Sequence, residues 1–455
     1  MRSRGTAASD TPVLSRRRFV VLGVGALGVA ATAAITSADS RRVDGGAPGD
    51  LDAEARPLVS QEVDKSIRWL WDFANRDAAT TGFGLVRDRD DSAWVASTAA
   101  TGFALAAYCI GVDRGVLDRR AVVKRVRGAL RTIEQTVPHR SGAVMHFVVP
   151  TSGLAARNSE YSTIDTALLL NGAVVAAAYL ADPEITERTD RLLRRADWLA
   201  YQRITTDARY LRMAWSDRTR AYVGTWNMSA EQLVLYLLVA GHPDVPPEIA
   251  RALYAGFRRP IGEYGGHRCV YEPGGTLFTY QYPHAFFPYH RYCDGDGVDW
   301  AANARSATLA NRAWCADNAD QHPAFASGLW GSSASDGPFG YTVNGASPSA
   351  ATPRNDGTIA PYSLMGALMT TPAEAGEALL RLRRSFPDAW GPYGFADAVN
   401  VVDGRPWVAA SRLGIDKGLS AIAGAAALGS TLVHDSFAAH PWIARGRDVL
   451  GYRLV

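Results

Sequence analysis

Carboxylates stand at the entrances of apolar segments along this chain. In "NSEYSTIDTALLLNG", Asn158 to Gly172, Glu160 and Asp165 precede a run with no further charge. Glu231 opens "EQLVLYLLVAG", Asp416 lies in "GIDKG", Asp336 in "SSASDGPFGY", and Asp90 and Asp91 precede another apolar stretch. Desolvation beside an apolar segment raises a carboxyl's pKa toward the range of a general acid, which suits Glu231, although a first-turn Glu on a helix dipole has the same pattern. Asp416 reads as either an N-cap or a catalytic carboxylate. Asp165 fits a capping box with Ser162 or Thr163, leaving Glu160, just outside the helix, as the substrate contact. Asp336 sits in a Gly-rich loop whose packing needs no charge, so it reads as a sugar-binding or alternative catalytic group. Trp226, Trp330 and Tyr341, with Trp215, Phe339 and Trp390, lie in the loops around these carboxylates. Sugar C–H faces stack on such rings while hydroxyls bond to carboxylates, so Asp91, Glu160, Asp336, Trp226, Tyr341 and Trp330 are the expected substrate contacts.

Apolar residues recur with helical spacing and period-two runs are scarce, so the body is expected to be all-α. The pattern predicts helices near 58–77, 93–111, 117–137, 163–181, 184–203, 228–241, 246–258, 281–292, 299–318, 357–370, 372–386 and 416–432. Those starting near 58, 117, 184 and 372 carry charged faces, whereas those near 93, 163, 228 and 416 are almost wholly Ala, Leu, Gly and Val. A helix apolar on all sides is buried. Alternation of the two kinds fits an (α/α)6 toroid of two concentric rings, with the loops before the inner helices converging on one face.

The chain has 455 residues, is 47% hydrophobic and carries a formal net charge of +3. No basic stripe argues for nucleic acid. "SRRRFVV" (Ser15 to Val21) with Arg16 and Arg17, then an uncharged run from Phe19 to Ile35, resembles a twin-arginine signal. The run is short for a span, so cleavage is expected and no stable membrane insertion afterwards. The expected organisation is a signal peptide over 1–38, a disordered lead-in over 39–56 and one catalytic domain over 57–455, with a secreted or cell-envelope destination. Four cysteines are few for an exported chain, with one pair among Cys269, Cys293 and Cys315 able to bridge. "DGDGVD" lacks the full calcium-loop pattern and no Cys/His pair has zinc-finger spacing, so no metal is expected. No G-x-S-x-G, P-loop or H-E-x-x-H occurs.

The stretches "SEYSTIDTALLLNGAVVAAAYL", "MSAEQLVLYLLVAGHP", "GLWGSSASDGPFGYTVNGASP", "NDGTIAPYSLMGAL", "GPYGFADAVN" and "GIDKGLS", in order along nearly all of the mature chain, resemble the bacterial glycoamylase-like family, which includes the β-1,2-glucan hydrolases. The resemblance implies an (α/α)6 fold and an inverting glycosidase that works without a cofactor on a β-glucan or related oligosaccharide. By the same resemblance Glu231 matches the general acid and Asp416 the carboxylate best placed as base. The chain departs from the family pattern at Val148 and Val149, where relatives often carry an acidic residue, and at "MSAEQ" around Glu231. The alternatives are a non-catalytic carbohydrate-binding protein on the same fold, and a polysaccharide lyase, which would need a Tyr or His base beside a uronate-binding Arg or Lys.

Overall fold

The computed structural model describes residues 50–156 and 158–455. The signal peptide expected over 1–38 and most of the lead-in lie outside the described residues. The described end of that lead-in is ordered structure. Leu51 is buried against the body and the first helix begins at Ala55.

Fifteen α-helices follow one another among the described residues. They are α1 (Ala55–Asp72), α2 (Thr98–Asp113), α3 (Arg119–Gln135), α4 (Thr163–Leu180), α5 (Pro183–Arg195), α6 (Leu233–Gly241) and α7 (Pro247–Gly256). Then come α8 (Tyr282–Phe286), α9 (Trp300–Asp317), α10 (Pro323–Ala326), α11 (Pro361–Ala367), α12 (Pro372–Ser385), α13 (Gly414–Ala427), α14 (Leu432–Ala438) and α15 (Pro441–Val449). Their starts follow local chemistry. Ser97 accepts the Ala100 N–H before α2, Asp118 the Ala121 N–H before α3, Ser162 the Asp165 N–H before α4, and Asp182 the Ile185 N–H before α5, which carries Pro183 at its first position.

Helices α2, α4 and α6 are buried on nearly every side, while α3 and α5 bury one stripe and expose the rest. Helix α4 is long and apolar enough to cross a membrane, but 89% of it is buried inside the protein, as a core helix. It crosses α2 at bare backbone. A Cβ on Gly172 would lie 1.8 Å from the Gly102 carbonyl oxygen, and one on Gly102 would lie 2.3 Å from that of Leu168. Packing neighbours run α2 to α4, α4 to α6, α6 to α8, α8 to the 3-10 turn Leu277–Tyr280, that turn to α11, α11 to α13, and α13 back to α2. Helices α1 and α12 pack on each other, as do α3 and α5, with α1 against α13, α5 against α4 and α12 against α11.

The all-α expectation is corrected to mostly helical. Eight small antiparallel sheets occur among the described residues, seven of them two-stranded. The largest joins Tyr161–Ser162, Gln202–Ile204, Arg209–Ser216 and Ala221–Thr225, with Ser162 opposite Ala214. Strands of two residues are too short for an alternating pattern to register in sequence. Many sit at helix entrances: Ala96–Ser97 pairs with Phe147–Val148 at the start of α2, and Val399–Val402 pairs with Arg405–Val408 ahead of α13. The expected helices near 184–203, 228–241 and 281–292 are shorter in the structure, and α10, α14 and α15 were not anticipated.

Candidate active site

Asp416 is the third residue of α13, where the helix dipole favours a negative charge. It is not the N-cap: that position is Leu413, with no side-chain cap, and the Gly414 N–H donates to the Asp88 carbonyl. Nor is Asp416 at an open helix start, since it is 3% exposed. The Tyr282 hydroxyl donates to its Oδ1 at 3.3 Å. The Asp397 side chain is within hydrogen-bonding contact of it, while Asp397 Oδ2 accepts the Asp336 N–H at 2.8 Å. Burial, then the charges of Asp416 and Asp336, hold the Asp397 carboxyl well above the usual carboxylate range. Next along α13, Lys417 Nζ donates to Glu62 Oε1 at 2.8 Å in a pair that is almost completely buried. A small cavity lined by residues including Glu62, Tyr362, Asp397, Arg412 and Asp416 has ≈ 10 Å³ open to the centre of a water molecule, room for about one water.

Glu231 is not inside a helix, as the apolar run around it suggested. Helix α6 begins at Leu233, Gln232 is its N-cap, and Glu231 occupies the turn before, 7% exposed. Beside it lies Glu272, whose Oε2 accepts the N–H groups of Gly274 at 2.9 Å and Thr276 at 3.1 Å. Burial pushes the Glu272 carboxyl up to about 7, and the neighbouring Glu231 adds to that rise. Residues 272–282 therefore form one segment with Glu272 in electrostatic contact with Glu231 at one end and Tyr282 bonded to Asp416 at the other. Its turn is held by the Phe278 N–H bonded to Ser333 Oγ and by Tyr280, whose hydroxyl accepts the Glu272 N–H.

Glu160 and Asp165 meet through a residue that the sequence did not mark. His146 Nδ1 lies 3.0 Å from Glu160 Oε1 and its Nε2 lies 3.5 Å from Asp165 Oδ1, with the ring stacked on Phe147. Ser162 does cap α4 on the Asp165 N–H, as expected, but the Asp165 carboxylate turns toward His146. Asp336 has a packing partner after all. Arg89 grips it with two N–H groups at 3.1 and 3.2 Å, and the Ser411 hydroxyl donates to the same carboxylate. Asp91 lies 3.7 Å from the same guanidinium with about half its side chain in solvent. Burial and then the Asp336 and Asp90 charges raise its pKa against the opposing Arg89.

The aromatic residues divide. Trp226 is 2% exposed, and its indole N–H donates to Thr163 Oγ1 at the start of α4. Tyr341 is half-buried against the main core. Trp330 is placed elsewhere: it belongs to a second core cluster and lines a cavity of about 360 Å³ with residues of α9 and α12, sharing no residue with the cavity at Asp416. Trp215 is covered by the Arg140 guanidinium at 3.8 Å and Trp390 by Lys65 at 4.7 Å. Phe339 and Trp94 are the widely exposed large aromatics among the described residues. All four cysteines are free thiols, and Cys269 and Cys315 are buried, with thiols raised to about 12 by burial. Among the described residues no group of three or more His, Cys, Asp or Glu could hold a metal ion.

Asp397, Glu272, His146 and Arg89 escaped the sequence reading. Asp397 lies in the quoted "GPYGFADAVN" and Glu272 in a Pro-Gly-Gly turn, but what each carboxyl faces is decided by residues far away in the chain.

Residues 224–441, which include Glu231, Glu272, Asp336, Asp397 and Asp416, match the glycoamylase family model ("Putative glucoamylase"). An exo β-1,2-glucooligosaccharide sophorohydrolase from Parabacteroides distasonis is 23% identical across 87% of this chain, which spans 58% of that relative's length. Among solved structures, an endo-β-1,2-glucanase from Chitinophaga pinensis, in complex with sophorotriose and glucose, superposes with a TM-score of 0.77 at 20% identity over 88% of this chain and 98% of that one. A "putative glucoamylase" from Bacteroides uniformis gives the same TM-score at 24% identity over 89% and 98%. The family match thus covers the segment that carries these carboxyls, and the fold is shared with the solved structures along most of the chain's length.

Proposed function

We propose that the protein is an inverting glycoside hydrolase acting on β-1,2-linked glucan or glucooligosaccharides, with Glu231 as proton donor and Asp416 as general base. The observation that supports this reading is the segment 272–282, with Glu272 in electrostatic contact with Glu231 at one end and the Tyr282 hydroxyl on Asp416 at the other, a link between two buried carboxyls from different helix entrances. The substrate class rests on relatives named for β-1,2-glucans. The ring of packing partners α2, α4, α6, α8, α11 and α13 supports an inner barrel of six helices, with α1, α3, α5 and α12 outside it, in the (α/α)6 arrangement.

In this mechanism Glu231 gives its proton to the glycosidic oxygen as that bond breaks. Asp416 takes a proton from a water whose oxygen forms the new bond on the opposite face of the sugar. Glu160, Asp91 and Tyr341 contact substrate hydroxyls and ring faces, whereas Asp336 orders the loop through Arg89. Arg16 and Arg17 ahead of a short apolar run support export by the twin-arginine route to a secreted or envelope location. Incubating the mature protein with linkage-defined glucooligosaccharides tests the reading. It predicts cleavage of β-1,2-linked chains, and turnover confined to another linkage would displace it.

A further inference from the structure

We infer that Asp397 is a positioning residue for Asp416: the two facing carboxyls share one proton, held by Asp397, which fixes the Asp416 carboxylate and keeps one of its oxygens for the attacking water. This rests on the hydrolase reading above. Two carboxylates are both acceptors, so a hydrogen bond between them requires a proton. Asp397 is 4% exposed, and only its Oδ2 receives a conventional donor, the Asp336 N–H, while no N–H or O–H of the described residues serves its buried Oδ1.

The neighbouring cations bond to carboxylates other than Asp397, and Arg89 feels the Asp397 charge only after those of Asp336, Asp88 and Asp91. Asp336 is held by Arg89, Lys417 is held by Glu62, and Arg412 lies 3.5 Å from Asp90. Tyr362 lines the same cavity, and Tyr282 reaches Asp416 from α8. Every nearby cation is thus committed to another carboxylate, and burial makes a second negative charge at Asp397 costly. The raised affinity of Asp397 for its proton agrees with this arrangement.

The shared proton is not consumed in the reaction. The water O–H bond breaks, its proton passes to Asp416, and its oxygen bonds to the anomeric carbon. The glycosidic C–O electron pair leaves on the oxygen that Glu231 protonates. Throughout, Asp397 keeps its own O–H directed at Asp416. The pair behaves as one titrating unit, and its uptake of a second proton sets the acid limb of turnover.

Two variants separate the role from mere packing. Asp397→Asn keeps an N–H donor for Asp416, whereas Asp397→Leu keeps the volume and supplies none. With Glu231→Gln introduced into both proteins so that the proton donor adds no band, infrared difference spectra at pH 8, above the Glu272 range, should show a protonated-carboxyl C=O band in the parent that Asp397→Asn lacks. Asp397→Leu should move the acid limb of kcat/KM up by about one unit and lower kcat about tenfold or more, with Asp397→Asn recovering most of both. Absence of the band in the parent, its persistence in Asp397→Asn, or an unmoved acid limb in folded Asp397→Leu overturns the inference. If no glucan is turned over, the hydrolase reading fails separately, and the infrared band still decides whether the proton is shared.

Discussion

Lys417 and Glu62 lie 355 residues apart in sequence, yet their contact fixes the first turn of α13, on which Asp416 rides. Replacing Lys417 with Met removes a cation that is 5% exposed and leaves Glu62, 1% exposed, as a buried carboxylate supported, among the described residues, by the Phe395 N–H and the Ser66 hydroxyl. Breaking one side of such a pair costs ~3–5 kcal/mol, because the remaining charge has lost its counterion in a site that water cannot solvate. Replacing both residues with apolar ones of similar volume removes the stranded charge as well, so Glu62→Leu with Lys417→Met should recover most of the loss. Urea unfolding of the single and double variants measures this directly, and turnover should fall in Lys417→Met and return in part in the double variant. A single-variant cost below ~1 kcal/mol, or a double variant no more stable than Lys417→Met, would refute the reasoning.

Three further outcomes follow from particular contacts. Gly172→Ala would put a Cβ 1.8 Å from the Gly102 carbonyl oxygen, so α2 and α4 must separate and stability should drop by ~1–3 kcal/mol in chemical denaturation. Glu272 has its folded pKa raised from 4.5 to about 7, so the native state holds a proton that the unfolded chain has released. Its contribution therefore turns unfavourable as pH rises through that window, and Glu272→Gln should gain stability relative to the parent between pH 5 and pH 8; a difference independent of pH would contradict the placement. Arg16→Lys with Arg17→Lys should leave the precursor in the cytoplasm, and ordinary secretion of that variant would exclude the twin-arginine route.

The helical body was legible because α2, α4 and α6 are apolar on every side, a pattern that survives without knowing any neighbour. The start of α4 was legible as well, through Ser162, whereas α2 and α6 begin later than the sequence pattern suggested. Glu231 was misplaced by a turn's width, since the apolar run that defines α6 begins only at Leu233. The partners of the site carboxyls were not legible. Whether Asp397 meets Asp416, Asp336 meets Arg89, or His146 stands between Glu160 and Asp165 depends on the meeting of separate segments, and each residue alone looks like any loop polar group. Trp330 makes the reverse point, because an aromatic next to a Gly-rich loop looked like a sugar platform and is buried in the second core cluster.

Proton nuclear magnetic resonance of a β-1,2-glucooligosaccharide digest, read in the first minutes before mutarotation, tests the central claim most directly. Glu231 as acid and Asp416 as base across the scissile bond predict that the new reducing end appears first as the α-anomer. They also predict that Glu231→Gln and Asp416→Asn, both folded, lose about 10²-fold or more in turnover. A first-formed β-anomer, or either variant turning over at close to the parent rate, would contradict the account.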